Sequence, residues 1–380
     1  MKKNSIKVYD LAVILMSMKV MLDRVVYLNS IKFLDTILMI ISLFLFIVVI
    51  LMEQKYSGKQ WVVIVGTGIL CLYSSIQMKE YFLIISYFLI IASVNKNINY
   101  TVRIMRRVKI IFIVVSIIWY VFSYFVVKDT LFTVIKNGRI AHHFGFTHPN
   151  GFALVICWIM LETLYLNINN FKMIYMYIYV ILGIALYKIT SCDTAMYILI
   201  LASVLKFSSY YTILNKLQVI VAKYIFPVCG ILNFLCVYIY TKQRGILYKF
   251  ILLLDEFLTA RIRQVALIAS RYDFTLLGHN VPIGQTVPYD SYYKINLLVC
   301  DGLFSYFLVC MGIIYTIIIS LLIWKYIKYN PEHSIIVILF SCYSILELHG
   351  LNVYIAYPLL LFASDFLKRI RHKGVKVYYD

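Results

Sequence analysis

Within twelve residues, Arg139 to Asn150 (RIAHHFGFTHPN), the chain places one arginine, three histidines, a glycine, a proline and an asparagine between two hydrophobic spans. An arginine stays charged and can hold two phosphate oxygens through its planar fork. A histidine exchanges protons near neutral pH, and a suitably hydrogen-bonded aspartate can do the same work. A second set of such groups lies further on: Arg261, Arg263, Arg271 and Asp290, with Glu347 and His349 near the end. Together these residue types could bind an anionic leaving group and take the proton of an attacking hydroxyl. For the base, Asp290 and the histidines compete.

What must position these groups is almost entirely lipid-compatible. The 380 residues are 63% hydrophobic and 14% charged, with a mean hydropathy of +0.86. Soluble domains carry about 25% charged and about 45–50% apolar residues. The composition predicts an all-α, polytopic integral membrane protein forming a single membrane domain over 1–380. Apolar runs mark twelve spans, at about 9–27, 33–52, 60–76, 81–94, 110–127, 151–166, 173–189, 194–205, 217–240, 303–324, 334–346 and 351–366. The net charge of +19 does not point to nucleic acid, because cytoplasmic loops of membrane proteins collect Lys and Arg. Lys2, Lys3 and Lys7, the run Lys96, Arg103, Arg106, Arg107 and Lys109, and the tail Lys368, Arg369, Arg371, Lys373 and Lys376 fall on one side if the spans number twelve. That side is expected to be the cytoplasm, with both termini on it. The start, MKKNSIKVYDLAVILM, is similar to a signal peptide but lacks a small-x-small cleavage site, so it reads as an uncleaved first span.

The chemical groups then gather outside. One outer loop, 128–150, holds the opening element; the other, 241–302, is the longest stretch between spans. Apolar residues from Ile246 to Ser270 recur at helical spacing and predict one amphipathic helix, whose other face carries Asp255, Glu256, Arg261, Arg263 and Gln264. His148-Pro149-Asn150 precedes a span, so helix initiation competes with a direct chemical role, and Asn150 is the best N-cap candidate. Gly151 would allow close approach. Glu162, in mid-span, reads as a buried interhelical partner. Glu347 and His349 sit at an outer helix end, where they could line a cavity or cap the helix.

An outer-face enzyme has no ready supply of cytoplasmic nucleotide donors. The activated sugar available there is carried on a lipid diphosphate, whose transfer needs cations against the diphosphate and a base for the acceptor hydroxyl. Outer arginines run against the positive-inside trend, which favours a functional reading; anchoring to headgroups is the duller one. Walker A, HExxH and GxSxG motifs are absent, and no DxD-type pair suggests a metal. The eight cysteines form no CxxC pair and read as small buried hydrophobes.

At four places the chain resembles the Wzy-type polysaccharide polymerases of the O-antigen polymerase and ligase superfamily. Arg139 followed by FGFTHPNG resembles that family's arginine and G-F-x-x-P-N element. ITSCDTA at 189–195 resembles its T-x-S-R-T turn, with Cys192 and Asp193 departing from it. FLTAR at 257–261, with LLG at 276–278, resembles L-S-G-R…L-F-G. PYDSYY at 288–293, with Gly302 ahead of a span, resembles D-N-x-Y…G. The resemblance implies a GT-C-like membrane glycosyltransferase of the bacterial cytoplasmic membrane with a large extracytoplasmic loop. It would extend capsular or exopolysaccharide from undecaprenyl-diphosphate-linked oligosaccharide, using neither metal nor other cofactor. It implies membrane lipid, a flippase and a chain-length regulator as partners, and no nucleic acid. Arg139 and Arg261 match the family's arginines. Asp290 stands where related ligases carry a base-like histidine, which favours it as base over His148. His148, Asn150, Arg263, Tyr293, Glu347 and His349 would bind substrate. A lipid-linked oligosaccharide flippase and an O-antigen-type ligase are the alternatives. The flippase predicts charges along a central cavity and a two-lobed repeat; the ligase differs in its acceptor.

Overall fold

Apolar segments deprived of water must satisfy their backbone groups internally, and helices do so within one segment. A computed structural model describes residues 7–25, 32–123, 125, 133–136, 139–243 and 245–371. The side chain of Arg139 lies outside this description, as do Lys2, Lys3, Lys373 and Lys376. The chain opens with α1 (Val8–Leu22), α2 (Lys32–Val48, continued as a wider turn through Glu53), α3 (Gly58–Met78), α4 (Phe82–Ala92) and α5 (Ile98–Phe122). After the short strands β1 (Thr133–Lys136) and β2 (Arg139–His142) come α6 (Pro149–Leu166), α7 (Met173–Thr190), α8 (Asp193–Ser208) and α9 (Thr212–Lys242). The long loop carries α10 (Ile246–Phe257), α11 (Arg261–Ala269), β3 (Thr286–Asp290) and β4 (Ile295–Leu297). The chain closes with α12 (Leu303–Tyr306), α13 (Ile313–Tyr329), α14 (Ser334–Leu346) and α15 (Pro358–Arg371). The two strand pairs are antiparallel ribbons within loops, so the fold is helical throughout.

Five of the described helices are long and apolar enough to cross a membrane: Phe33–Glu53, Gly58–Met78, Pro149–Leu166, Met173–Thr190 and Thr212–Lys242. Their exposed faces carry the argument. Along α3, Val62, Val65, Ile69, Leu72 and Ile76 form an exposed stripe at spacings of three and four. Along α9, Leu217, Ile220, Tyr224, Val228 and Ile231 do the same. Water would not tolerate such contiguous apolar faces, whereas lipid does. α5 is long, but Arg103, Arg106, Arg107 and Lys109 crowd its first half.

Two compact units divide the chain. One comprises Met1–Ile64, Ile85–Asn215 and Val353–Asp380; the other comprises Val65–Ile84 and Lys216–Asn352. In the first, buried Lys109 on α5 pairs with buried Glu162 on α6 and donates to the Ile355 carbonyl at 2.9 Å. The interhelical role expected of Glu162 is met by a cation rather than by a neutral partner.

In the second unit, the expected span at 303–324 is interrupted. A wide turn, Phe307–Met311, follows α12, and the chain reverses its local twist at Gly312, φ +96°. Backbone crossing is the cause. A Cβ on Gly312 would lie 2.0 Å from the Leu276 carbonyl oxygen, and one on Gly278 would lie 2.1 Å from that of Cys310. The groups freed by the break are met across this crossing: His279 N donates to Val309 O, and Ile313 N to Thr275 O, each at 3.2 Å. The expected span at 351–366 is helical only from Pro358.

Candidate functional site

The long loop does not carry one helix from Ile246 to Ser270. The helix stops after Phe257, because Thr259 (φ +54°) and Ala260 (φ +68°) are left-handed, and restarts at Arg261. Periodicity alone could not show this, since the apolar rhythm runs through the break. The N-terminus of α11 has no side-chain cap of its own. Asp255, buried on the last turn of α10, supplies one: its Oδ1 accepts from Arg263 N at 3.0 Å, and its Oδ2 lies 2.8 Å from Arg263 Nε. A carboxylate at a helix N-terminus satisfies an orphan N–H and complements the dipole. Arg263, expected to bind substrate, is here engaged in holding α10 to α11.

Arg261 differs. A cation in the first turn of a helix opposes the dipole, so helix stability does not explain it. Its Nη2 lies 3.6 Å from Glu347 Oε1 and its Nε 3.8 Å from Asp301 Oδ2. Both separations allow an ion pair and exceed hydrogen-bond length. The buried Nε has no hydrogen-bond partner among the described residues. Arg261, Asp301, Asn233, Gly302, Ser305 and Ile345 surround a void of about 20 Å³, room for a single water. The polypeptide closes tightly around it, because a Cβ on Gly302 would fall 2.4 Å from the Ile345 carbonyl oxygen. Ser305 Oγ donates to Asn233 Oδ1 at 3.3 Å. Sequence reasoning named Arg261 and Glu347 here but missed Asp301 and Asn233. Asp301 is separated from Asp290 by ten residues of unremarkable loop, and Asn233 is the one amide or charged side chain between Lys223 and Lys242, which is the signal that could have found it.

Asp290 sits at the end of β3. Its Oδ1 accepts from the backbone N–H groups of Tyr292 (3.0 Å) and Tyr293 (3.2 Å), and its carbonyl from Lys294 (2.7 Å). This is the local turn an aspartate makes with residues two and three ahead of it. Among the described residues its hydrogen bonds stay within that turn. Tyr293 is buried, stacked on Tyr240 with ring centres 6.1 Å apart. Burial raises its phenol above the ordinary value, and the neighbouring Asp290 carboxylate pushes the same way. His349 is half-buried, two residues past Glu347 in a short 3-10 turn, Leu348–Leu351.

In the other unit, the cap of α6 is His148, two residues earlier than the Asn150 expected from the sequence. Proline forces its predecessor into extended conformation and is itself suited to the first helical position. His148 is accordingly extended (φ −151°, ψ 143°), and its Nδ1 accepts from Asn150 N at 3.1 Å. The preceding turn is anchored by packing. Phe144 (φ +50°) stacks on Phe152 at 4.4 Å, and Phe146 is fully buried. Thr147 N donates to Arg24 O at 2.8 Å, and Val25 pairs with Phe146 as an isolated bridge. His142 accepts from or donates to the Tyr120 hydroxyl at 2.7 Å, and His143 is buried. Gly151 is not under pressure: a Cβ there would stand 3.8 Å from the Phe146 ring and 4.0 Å from the Arg24 guanidinium. Arg24, just past α1, thus brings its guanidinium to the first turn of α6.

Among the described residues, no group of three or more His, Cys, Asp or Glu side chains converges as a metal site. No family model matches the sequence, and no curated protein or solved structure matches the chain.

Proposed function

We propose that this protein is a membrane glycosyltransferase of the polysaccharide-polymerase type, crossing the bacterial cytoplasmic membrane twelve times with both termini inside. The long loop then lies outside. The observation that carries the reading is Arg261, a helix-start arginine whose guanidinium has an unbonded buried Nε and only long contacts to carboxylates. Its donors are not saturated by those contacts and remain available to a diphosphate.

In the reaction, the acceptor hydroxyl oxygen attacks the anomeric carbon of the lipid-linked glycan. The bond from that carbon to the diphosphate oxygen breaks, and undecaprenyl diphosphate leaves with the electron pair. The hydroxyl proton passes to a carboxylate. The family resemblance assigns that role to Asp290; the place beside Arg261 favours Glu347. His148 and Asn150 hold the start of α6.

Mass spectrometry of lipid-linked saccharides from cells lacking the protein, scored by leaflet, tests the reading. Single repeats accumulating on the outer leaflet support it. Single repeats trapped on the inner leaflet overturn it in favour of a flippase. Complementation with Arg261→Ala should leave the single repeats unpolymerised.

A further inference from the structure

We propose that the cleft between α1 and the first half of α5 is a binding site for an anionic phospholipid, headgroup at its basic mouth and acyl chain along its apolar end. The cleft encloses about 1020 Å³, at the upper edge of the roughly 300–1000 Å³ typical of small-molecule sites. Its mouth carries four cations, Lys7, Lys96, Arg103 and Arg107, against one acid, Asp10. One of these cations, Lys96, is already engaged: it pairs with Glu53 at 2.5 Å and lies over the Tyr9 ring. Arg103 and Arg107 are exposed, one helical turn apart on α5, and enter no ion pair among the described residues. Two guanidinium forks on adjacent turns match the oxygens of one phosphodiester.

The wall beyond the mouth separates a lipid from a soluble anion. Both helices change from polar to apolar in the same direction along the cleft. On α1, Lys7 and Asp10 are followed by Ile14. On α5, Tyr100, Arg103 and Arg107 give way to Val108 and Ile111. The two polar ends are fixed side by side, through Tyr9 Oη and Thr101 Oγ1 at 2.8 Å and Tyr100 Oη donating to Asp10 at 3.3 Å. Ile111, 60% exposed on the same wall, continues an apolar track that an acyl chain can follow and a free phosphate does not use. Basic pockets between membrane helices suit anionic headgroups for this combined reason. The site is independent of the glycosyltransferase reading.

The test uses the full chain purified into phosphatidylcholine nanodiscs doped with phosphatidylglycerol, with retained lipid measured by native mass spectrometry. The wild type should retain phosphatidylglycerol in preference to phosphatidylcholine, and inorganic phosphate should not displace it. At about 1 kcal/mol per cation near an anionic headgroup, the double variant Arg103→Gln/Arg107→Gln should bind about thirty-fold more weakly. The double variant Arg103→Lys/Arg107→Lys, which keeps the charge, should recover part of that loss. Removing the same charge elsewhere, by Lys325→Gln/Lys328→Gln, should not change retention. Equal retention of both lipids, displacement by inorganic phosphate, or an equal loss in the Lys325/Lys328 control would each overturn the proposal.

Discussion

Arg261 Nη2 and Glu347 Oε1 face each other at 3.6 Å, close enough to attract and too far to hydrogen-bond. Glu347, the extended residue that caps the C-terminus of α14, is 7% exposed; the guanidinium begins α11. If this pair is the reacting centre, each half has a distinct kinetic signature. Arg261→Lys keeps the charge and loses the fork, so polymerisation by purified protein on a synthetic lipid-linked repeat should fall about 10²-fold in kcat. Glu347→Gln should lower kcat about 10²–10⁴-fold if it is the base, and Asp290→Asn should do so far less, because its Oδ1 serves a turn. A larger loss for Asp290→Asn would return the base to Asp290.

Asp255 performs two tasks with one carboxylate, capping α11 and holding Arg263. Asp255→Ala removes both and should cost about 1.5–3 kcal/mol, as for a buried hydrogen bond to a charged group. Asp255→Asn keeps an acceptor for the Arg263 N–H and should cost less. Thermal unfolding in detergent ranks the two; an Asp255→Ala variant as stable as the wild type would show that α11 needs no cap from α10.

The sequence made the helical membrane class legible because lipid imposes one solution on long apolar runs. It also exposed Glu347, a charge at a helix end beside a span, and Arg261, an outer arginine that runs against the positive-inside trend. Three things it hid have physical reasons. The break at Thr259 and Ala260 uses left-handed residues that are not glycine, so no breaker marks it. The interruption at Gly312 depends on a backbone crossing with residues 276–278, thirty-odd positions away, which local pattern does not encode. The partnership of Asp255 with Arg263 was masked because both sat on the polar face of one expected helix, where either could have pointed at solvent or ligand.

His148 separates capping from chemistry. As a cap it should be replaceable by asparagine, a strong N-cap residue, with stability retained, whereas His148→Ala should cost about 1 kcal/mol. Melting temperatures and polymer yield measured together decide the matter. Loss of polymer in His148→Asn without loss of stability would give the imidazole a role beyond the cap. Gly151→Ala serves as the packing control and should be tolerated, since its Cβ meets nothing closer than 3.8 Å.

The Lys109–Glu162 pair poses the opposite problem, a strong interaction with no site around it. Both side chains are at most 1% exposed, and the ammonium also reaches the Ile355 carbonyl. Removing one partner leaves an unmatched charge inside the helical unit. Glu162→Ala should therefore be severely destabilising, by about 3–5 kcal/mol. Replacing both charges with apolar residues of similar volume removes the desolvation penalty together with the attraction, so Lys109→Met/Glu162→Leu should recover about half of that loss. The Ile355 carbonyl left without its donor sets the remainder, about 1–3 kcal/mol. Thermal unfolding of the three proteins gives the ranking. A double variant less stable than Glu162→Ala would mean that the ion pair fixes the register of α5 against α6 in a way that apolar packing cannot replace.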